Sequence, residues 1–555
     1  MSHLPATAEE IRSRGWDAPD IIIVTGDAYV DHPSFGAAVI GRVLEKAGFR
    51  VAILPQPDWK NPDSITALGR PRLFFGVTAG NVDSMLARHT AFKKVRNDDP
   101  YTPGGGEGKR PPRAVIAYCN MIRAAFKGVP IVIGGIEASM RRLAHYDFWS
   151  DAVRRSIILD SRADLLVYGM GEGAVVEAAG RLNGGRDLSG IAGTVEMLKD
   201  APPEAVLLPP EEDALADRKR FLEMYRVMYT NPRSRLAQPS GGRFIVQNPP
   251  GETTGDALDD IYGLPFEREP HPFYGGQSIP AFEMIRCSIT SHRGCVSGCS
   301  FCSLALHQGR RIVRRSASSI LDEVKAIQGK RYFSGHITDI GGPSADMYGY
   351  GCKSRWICSR ESCLHPDLCP NLIADENPWL AILGGASALP GVKHVTVGSG
   401  VRFDLVLRGG QSLLRELARN HVSGQLKIAP EHTSPRVLHA MRKNPRADLR
   451  EFTEAFRDAS KSAGRKLHLV PYLMSCHPAC GMSEMREMLD EVRSIFGFVP
   501  DQVQAFIPLP MTLSSVMYWT GRDPLSGEEY FTERDAARRR RQHGVFYLDN
   551  ARRDI

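Results

Sequence analysis

The sequence has no apolar run near the ~20 residues that a membrane span needs. Its opening stretch, MSHLPATAEEIRSRGW, lacks the apolar core of a secretory leader. Both absences point to the cytoplasm. A large excess of charge of one sign is missing as well. Seventy Lys and Arg against 63 Asp and Glu leave +7 on 555 residues, too little to argue for nucleic acid or an anionic membrane as partner. The densest basic run, Arg538–Arg541, is flanked by Glu533 and Asp535 and reads as a solvated helix face. There is no internal repeat and no long low-complexity tract.

What is present is α/β patterning in two series. DIIIVTG (Asp20–Gly26), VAILP (Val51–Pro55), RLFFGV (Arg72–Val77), VPIVIGG (Val129–Gly135) and DLLVYGMGEG (Asp164–Gly173) read as buried strands. Helical stretches such as Ala37–Ala47 and Ile116–Phe126 separate them. This predicts a parallel sheet with crossover helices, a Rossmann- or flavodoxin-like domain over residues 1–200. Prolines accumulate from Pro202 to Pro280, which predicts a surface connector over 201–281 with one helix near Ala214–Tyr229. A second series starts at Phe282. Its candidate strands are Met284–Thr290, Gly335–Ile340, His394–Gly398, Gln425–Ala429, Leu467–Tyr472 and Val503–Ile507. Six such units predict a partial (β/α)6 barrel of the TIM type over 282–521, with a helical tail over 522–555. In barrels, chemistry sits on the loops that follow the strands.

Eleven cysteines in a cytosolic chain are better read as metal ligands or catalytic thiols than as disulfides. The first barrel strand runs into SHRGCVSGCSFCSL, where Cys295, Cys299 and Cys302 have the spacing C-x3-C-x2-C. At this cysteine frequency about 0.004 chance matches are expected in a chain of this length. A short loop bearing Gly294 and Gly298 can wrap three soft thiolates around one face of an iron–sulfur cubane and leave its fourth iron open. A zinc site with His292 or His307 as fourth ligand is the alternative.

With Phe301 before its last cysteine, the loop resembles the signature of the radical S-adenosylmethionine (SAM) superfamily. The resemblance implies one [4Fe–4S] cluster on Cys295, Cys299 and Cys302, SAM on the open iron, and reductive cleavage of SAM to a 5′-deoxyadenosyl radical that takes hydrogen from a substrate. Phe301 would lie near the adenine. DIGGPSA (Asp339–Ala345) resembles the superfamily's GGE element, but Pro343 replaces the acid, so only the carbonyls of Gly341 and Gly342 carry over. LKIAPEHTSPRVLHAMRK (Leu426–Lys443) resembles the fourth-strand segment of the methylthiotransferase-like branch and points to Glu431 as a SAM contact. Over nearly the whole chain the order of motifs is similar to that of the YgiQ-type radical SAM family. The matching features are GGIEASMRRLAHYD (Gly134–Asp147), the cysteine loop and IPLPMTLSSVMYWTG. The expected electron donor is a flavodoxin or ferredoxin. The resemblance names no catalytic side chain and no substrate.

Three other groups of residues bear on metals and cofactors. Cys352, Cys358, Cys363 and Cys369 fall within eighteen residues, in an insertion expected at 343–380. An auxiliary iron–sulfur cluster, a zinc staple and unligated thiols are the alternatives there. Cys476, His477 and Cys480 read as a packed loop, and Cys119 as core. A cobalamin-binding-like N-terminal domain is weighed on the turn Tyr168–Gly173, although His32 and Gly36 do not form the D-x-H-x-x-G pattern of corrinoid mutases. The competing functional classes are a non-catalytic metalloprotein that binds RNA or a protein, and an RNA methylthiotransferase-like enzyme.

Overall fold

The computed structural model describes residues 3–354, 358, 360–409, 411–444 and 447–551. Residues 355–357 and 359 of the expected insertion, and 552–555 of the expected tail, lie outside the described residues. The chain divides into two compact units, Met1–Thr253 with Asp260–Arg286, and Thr254–Asp259 with Cys287–Ile555.

The first unit is built on a nine-stranded sheet. β1 (Ile21–Thr25), β2 (Val51–Pro55), β3 (Phe74–Thr78) and β4 (Ile131–Gly134) are short β-branched and aromatic runs, largely buried, as parallel strands covered by helices must be. They pair in parallel, Ile21 lying opposite both Val51 and Phe74, and β5 (Leu165–Val167) adds to β4 in the same sense. The order 2-1-3-4-5 is that of the doubly wound, flavodoxin-like sheet.

The sheet does not stop there. β6 (Thr194–Leu198) runs antiparallel to β5. Beyond it, β7 (Val206–Leu207), β8 (Leu236–Ser240) and β9 (Arg243–Gln247) extend the sheet in the spatial order β6-β9-β8-β7. The surface connector expected over 201–281 is corrected by these strands. Their composition hid them because they bury polar side chains with internal partners. Gln238 donates to the Pro209 carbonyl at 3.2 Å, and Gln247 accepts from Arg142 Nε at 2.7 Å. The single expected helix is two, Glu211–Ala216 and Arg218–Thr230, with Asp217 capping the second by accepting from Lys219 N–H at 2.8 Å.

The second unit carries the barrel strands β10 (Ser288–Thr290), β11 (His336–Ile337), β12 (Asp339–Gly341), β13 (His394–Val395), β14 (Gln425–Glu431), β15 (His468–Ser475) and β16 (Val503–Ala505). β11 and β12 are two halves of one strand position. β10 pairs with β12, β11 with β13, and β14 with β15 and β16 through β15, all in parallel. Val401 N–H joins the series by donating to the Lys427 carbonyl at 3.3 Å. Six parallel positions in chain order make a partial (β/α) barrel. Helices Ala317–Gln328, Asn377–Ser387, Leu449–Ser462 and Met482–Phe496 lie between them in sequence. The first strand is shorter than expected. Pro280, at the first position of a helix, starts Pro280–Ile285, so Met284 is helical and exposed.

Helix Ala536–Ala551 contains the basic run. Arg538, Arg540 and Arg541 are exposed, but Arg539 is buried and donates to the Phe506 carbonyl at 2.5 Å. A wholly solvated face is therefore corrected at that one residue. Among the described residues no helix is long and apolar enough to cross a membrane.

Candidate metal centre

The cysteine loop leaves the carboxyl end of β10, the end at which barrel loops carry chemistry. Ser291 N–H donates to the Gly341 carbonyl at 2.8 Å, which ties the start of the loop to the end of β12. His292–Arg293 then pairs antiparallel with Val313–Arg314. Two glycines shape the turns that carry the cysteines. Gly294 (φ +91) passes so close to the Arg311 carbonyl that a Cβ would sit 1.9 Å from its oxygen. Gly298 (φ +60) does the same against the Glu361 carbonyl at 2.0 Å. No L-residue fits either position without moving backbone.

Cys295, Cys299 and Cys302 are free, partly buried thiols. Burial pushes the Cys302 thiol up to about 12, and the charges of Cys299 and Cys295 add to the rise, while Leu304 N–H, 3.5 Å from its Sγ, opposes it. Burial also raises Cys299, against the opposing charges of Arg402 and Lys443. The three sulfurs therefore lie within electrostatic reach of one another, in a place where thiolates need positive charge to form. Among the described residues no three His, Cys, Asp or Glu side chains converge closely enough to hold one metal ion. A cubane spreads its cysteines over separate irons, whereas a zinc ion gathers all its ligands on itself. Three soft, mutually repelling thiols on one loop are a donor set that fits a cluster.

Around the thiols stand charged groups that sequence reasoning did not single out, apart from Glu431. Arg402 binds Asp404 through Nε at 2.9 Å and Nη2 at 2.5 Å, and feels the charges of Cys299 and Cys295. Lys443 is buried, with Nζ on the Ala429 carbonyl. Glu431 ends β14 at a register shift and adopts φ +68, unusual for a non-glycine residue. Burial raises its carboxyl, opposed by Lys443 and Arg402. Arg402 and Lys443 are ordinary cations in sequence, and only the fold pairs the first with Asp404 and buries the second.

The remaining expected site residues lie close by. The Phe301 ring meets the His477 ring edge-on at 6.1 Å. Gly342 lies against His292, whose Nε2 would be 2.5 Å from a Cβ there. His292 Nδ1 is 2.9 Å from Ser291 Oγ. A polar chain also reaches the loop. Ser514 Oγ is 2.7 Å from both Ser300 Oγ and His477 Nε2. His477 Nδ1 faces the Pro478 carbonyl at 2.7 Å, so that nitrogen carries the proton. Cys476, His477 and Cys480 are fully buried, as is Cys119.

In the first unit, the switch point between β1 and β3 is where this topology places a ligand crevice. Arg110 fills it, bridging Asp27 at 2.8 Å and Asp99 at 2.9 Å. His32 is fully buried; its Nδ1 accepts from Ser34 N–H at 3.1 Å and its Nε2 faces Arg268 at 3.5 Å. His32 does not fit the role of a corrin ligand.

The profile described as Radical SAM N-terminal matches residues 3–288, and a second profile, a domain of unknown function (DUF3362), matches 501–547. A UPF0313 protein of Geobacter sulfurreducens is 46% identical, covering 100% of this chain and 94% of its own. One from Thermotoga neapolitana is 45% identical, covering 96% of each. The chain belongs to the UPF0313 family of radical SAM proteins. Relatives of this UPF0313 chain include one from Methanocella arvoryzae, 44% identical over 98% of this chain and 92% of its own. In fold, it is similar to the radical SAM methyltransferase TsrM from Kitasatospora setae. The structure of TsrM with tryptophan substrate and a SAM analog matches at TM-score 0.50 and 16% identity, over 89% of this chain and 75% of that one. The structure of TsrM with cobalamin and a [4Fe–4S] cluster matches at TM-score 0.50 and 15% identity, over 89% and 77%.

Proposed function

We propose that this UPF0313 chain is a radical SAM enzyme working in the cytoplasm, with Cys295, Cys299 and Cys302 as ligands of one [4Fe–4S] cluster. The observation that carries the reading is three free, partly buried thiols at C-x3-C-x2-C spacing on the loop leaving the first barrel strand. When bound, the reduced cluster supplies one electron to SAM, giving methionine and a 5′-deoxyadenosyl radical that abstracts hydrogen from substrate.

The chain's own residues hold and shield. Arg402 and Lys443 supply positive potential that favours thiolates over thiols and suits the carboxylate of SAM. Glu431 offers an acceptor at the end of β14. The carbonyls of Gly341 and Gly342 are acceptors for an ammonium, one lone pair of Gly341 being already engaged by Ser291. Phe301 presents a ring for adenine. A flavodoxin- or ferredoxin-class donor supplies the electron. His32 is closed off by its own neighbours and offers cobalamin no ligand.

The test is anaerobic reconstitution with iron and sulfide, followed by dithionite and SAM. The wild-type chain is expected to release 5′-deoxyadenosine and Cys299→Ala none. Undiminished release by that variant would sink the assignment. Zinc without iron or sulfide in the purified wild type would favour a non-catalytic metalloprotein that binds RNA or a protein. A changed profile of methylthiolated nucleosides on deletion of the gene would favour RNA methylthiolation.

A further inference from the structure

The Cys-rich insertion is fastened directly onto the cysteine loop. Cys363 N–H donates to the Val296 carbonyl at 3.0 Å, and the Ser362 hydroxyl donates to the Ser297 carbonyl. Arg310 Nη1 donates to the Arg360 carbonyl at 2.6 Å, and Gly298 passes under the Glu361 carbonyl. Beneath these bonds Val296 shares an apolar cluster with Met347, Tyr350, Leu364 and Cys369, and both Cys295 and Cys363 pack against it.

The same segment brings its own thiols to one end of a hairpin. Strand Tyr350–Cys352 pairs antiparallel with Leu372–Ala374, so that Cys352 stands opposite Leu372. Leu372 N–H donates to the Cys369 carbonyl at 3.0 Å, and Cys369 N–H donates to the Cys363 carbonyl at 2.8 Å. The backbone thus carries Cys352, Cys369 and Cys363 to one place. Cys363 feels the charges of Cys369, Cys352 and Cys358, and all four are free thiols.

We infer that Cys352, Cys358, Cys363 and Cys369 form a second metal site, and that its occupant is an iron–sulfur cluster. Two features select a cluster over a zinc ion. Of the gaps of five, four and five residues, the first and last are wider than the two-to-four-residue pairs of structural zinc sites. The thiols gather around Cys363 without converging at one-ion distances, as with the first set. Both observations suit ligands spread over several irons. With four thiolates this cluster would have no open corner. It would lie beside the loop that holds Cys295, Cys299 and Cys302, joined to it through the Cys363 and Ser362 bonds. The inference concerns thiols separate from Cys295, Cys299 and Cys302, and stands or falls apart from the reading above.

The experiment is iron and acid-labile sulfide counting on the full-length chain, purified and reconstituted without oxygen. The wild type is expected to hold about eight irons, that is, two cubanes. Cys352→Ser with Cys358→Ser alters two exposed thiols that do not pack against the loop. It is expected to hold about four irons and to keep cleaving SAM. The triple variant Cys295→Ala, Cys299→Ala, Cys302→Ala is expected to hold about four irons and to cleave none. Wild type with about four irons, all lost in the triple variant, overturns the second site. One zinc per wild-type chain that disappears in the Cys352→Ser, Cys358→Ser variant overturns the cluster. Four irons that survive the triple variant support the second site even if the first reading fails.

Discussion

The backbone N–H of Ser514 donates to the carbonyl of Ser300 at 2.9 Å, so the helix that follows the last barrel strand is clamped to the residue next to Cys299. The side chains repeat the bond, since Ser514 Oγ bridges Ser300 Oγ and His477 Nε2. Ser514→Ala leaves a buried imidazole nitrogen without its partner. The expected cost is about 1–3 kcal/mol, read as a lower urea midpoint, together with faster loss of iron from the reconstituted protein. Ser514→Thr, which keeps the hydroxyl, restores most of both.

Gly298 gives a second prediction. An alanine there needs φ +60 and meets the Glu361 carbonyl. Gly15 (φ +71) has open space where a Cβ would stand, with nothing within 4 Å, and isolates the backbone part. Gly15→Ala is expected to cost about 1 kcal/mol, and Gly298→Ala about 2–4 kcal/mol because the insertion must lift off the loop. Paired denaturant melts measure the difference. Equal losses at the two sites would show that Gly298 is not under compression.

Lys443 supports a prediction about potential. A buried cation beside the thiols favours the more negative, reduced cluster. Lys443→Gln should therefore lower the midpoint potential by tens of millivolts, a shift to be read by redox titration followed by electron paramagnetic resonance.

The fourth prediction is pH dependence in the first unit. Burial pushes His145 down to about 4, with the charge of Arg141 adding to the effect and the Leu143 carbonyl opposing it. The unfolded chain takes up this proton near pH 6.5, before the folded chain does. Stability is then full above about pH 6.5 and falls as the pH drops towards 4, by about 2 kcal/mol at pH 5. Urea melts at pH 7 and pH 5 check the sign. His145→Gln should flatten this slope, and an unchanged slope would remove His145 as its source.

Parallel strands of the first unit were legible because runs such as Ile21–Thr25 and Val51–Pro55 are continuously apolar and bounded by turn residues. The last three strands of its sheet were not. Gln238 and Gln247 find partners only after folding, and Pro239 looks like a strand breaker out of context. The cysteine loop was legible because its chemistry is carried by residue type and spacing. The cations around it were not, since the placing of Arg402 and the burial of Lys443 depend on β14 and on segments distant in sequence from the loop. Arg539 was missed for the same reason, its guanidinium reaching carbonyls that no local pattern announces.

The antiparallel β6–β9 seam limits how this protein can be divided. A chain cut after residue 200 would keep the five parallel strands but lose the neighbour that pairs with Val195, Glu196, Met197 and Leu198. The unsatisfied row of amides left behind would invite self-association. A transplantable N-terminal module must therefore run at least through Gln247, and fusions or deletions planned at the proline-rich stretch would yield insoluble material rather than a free-standing half.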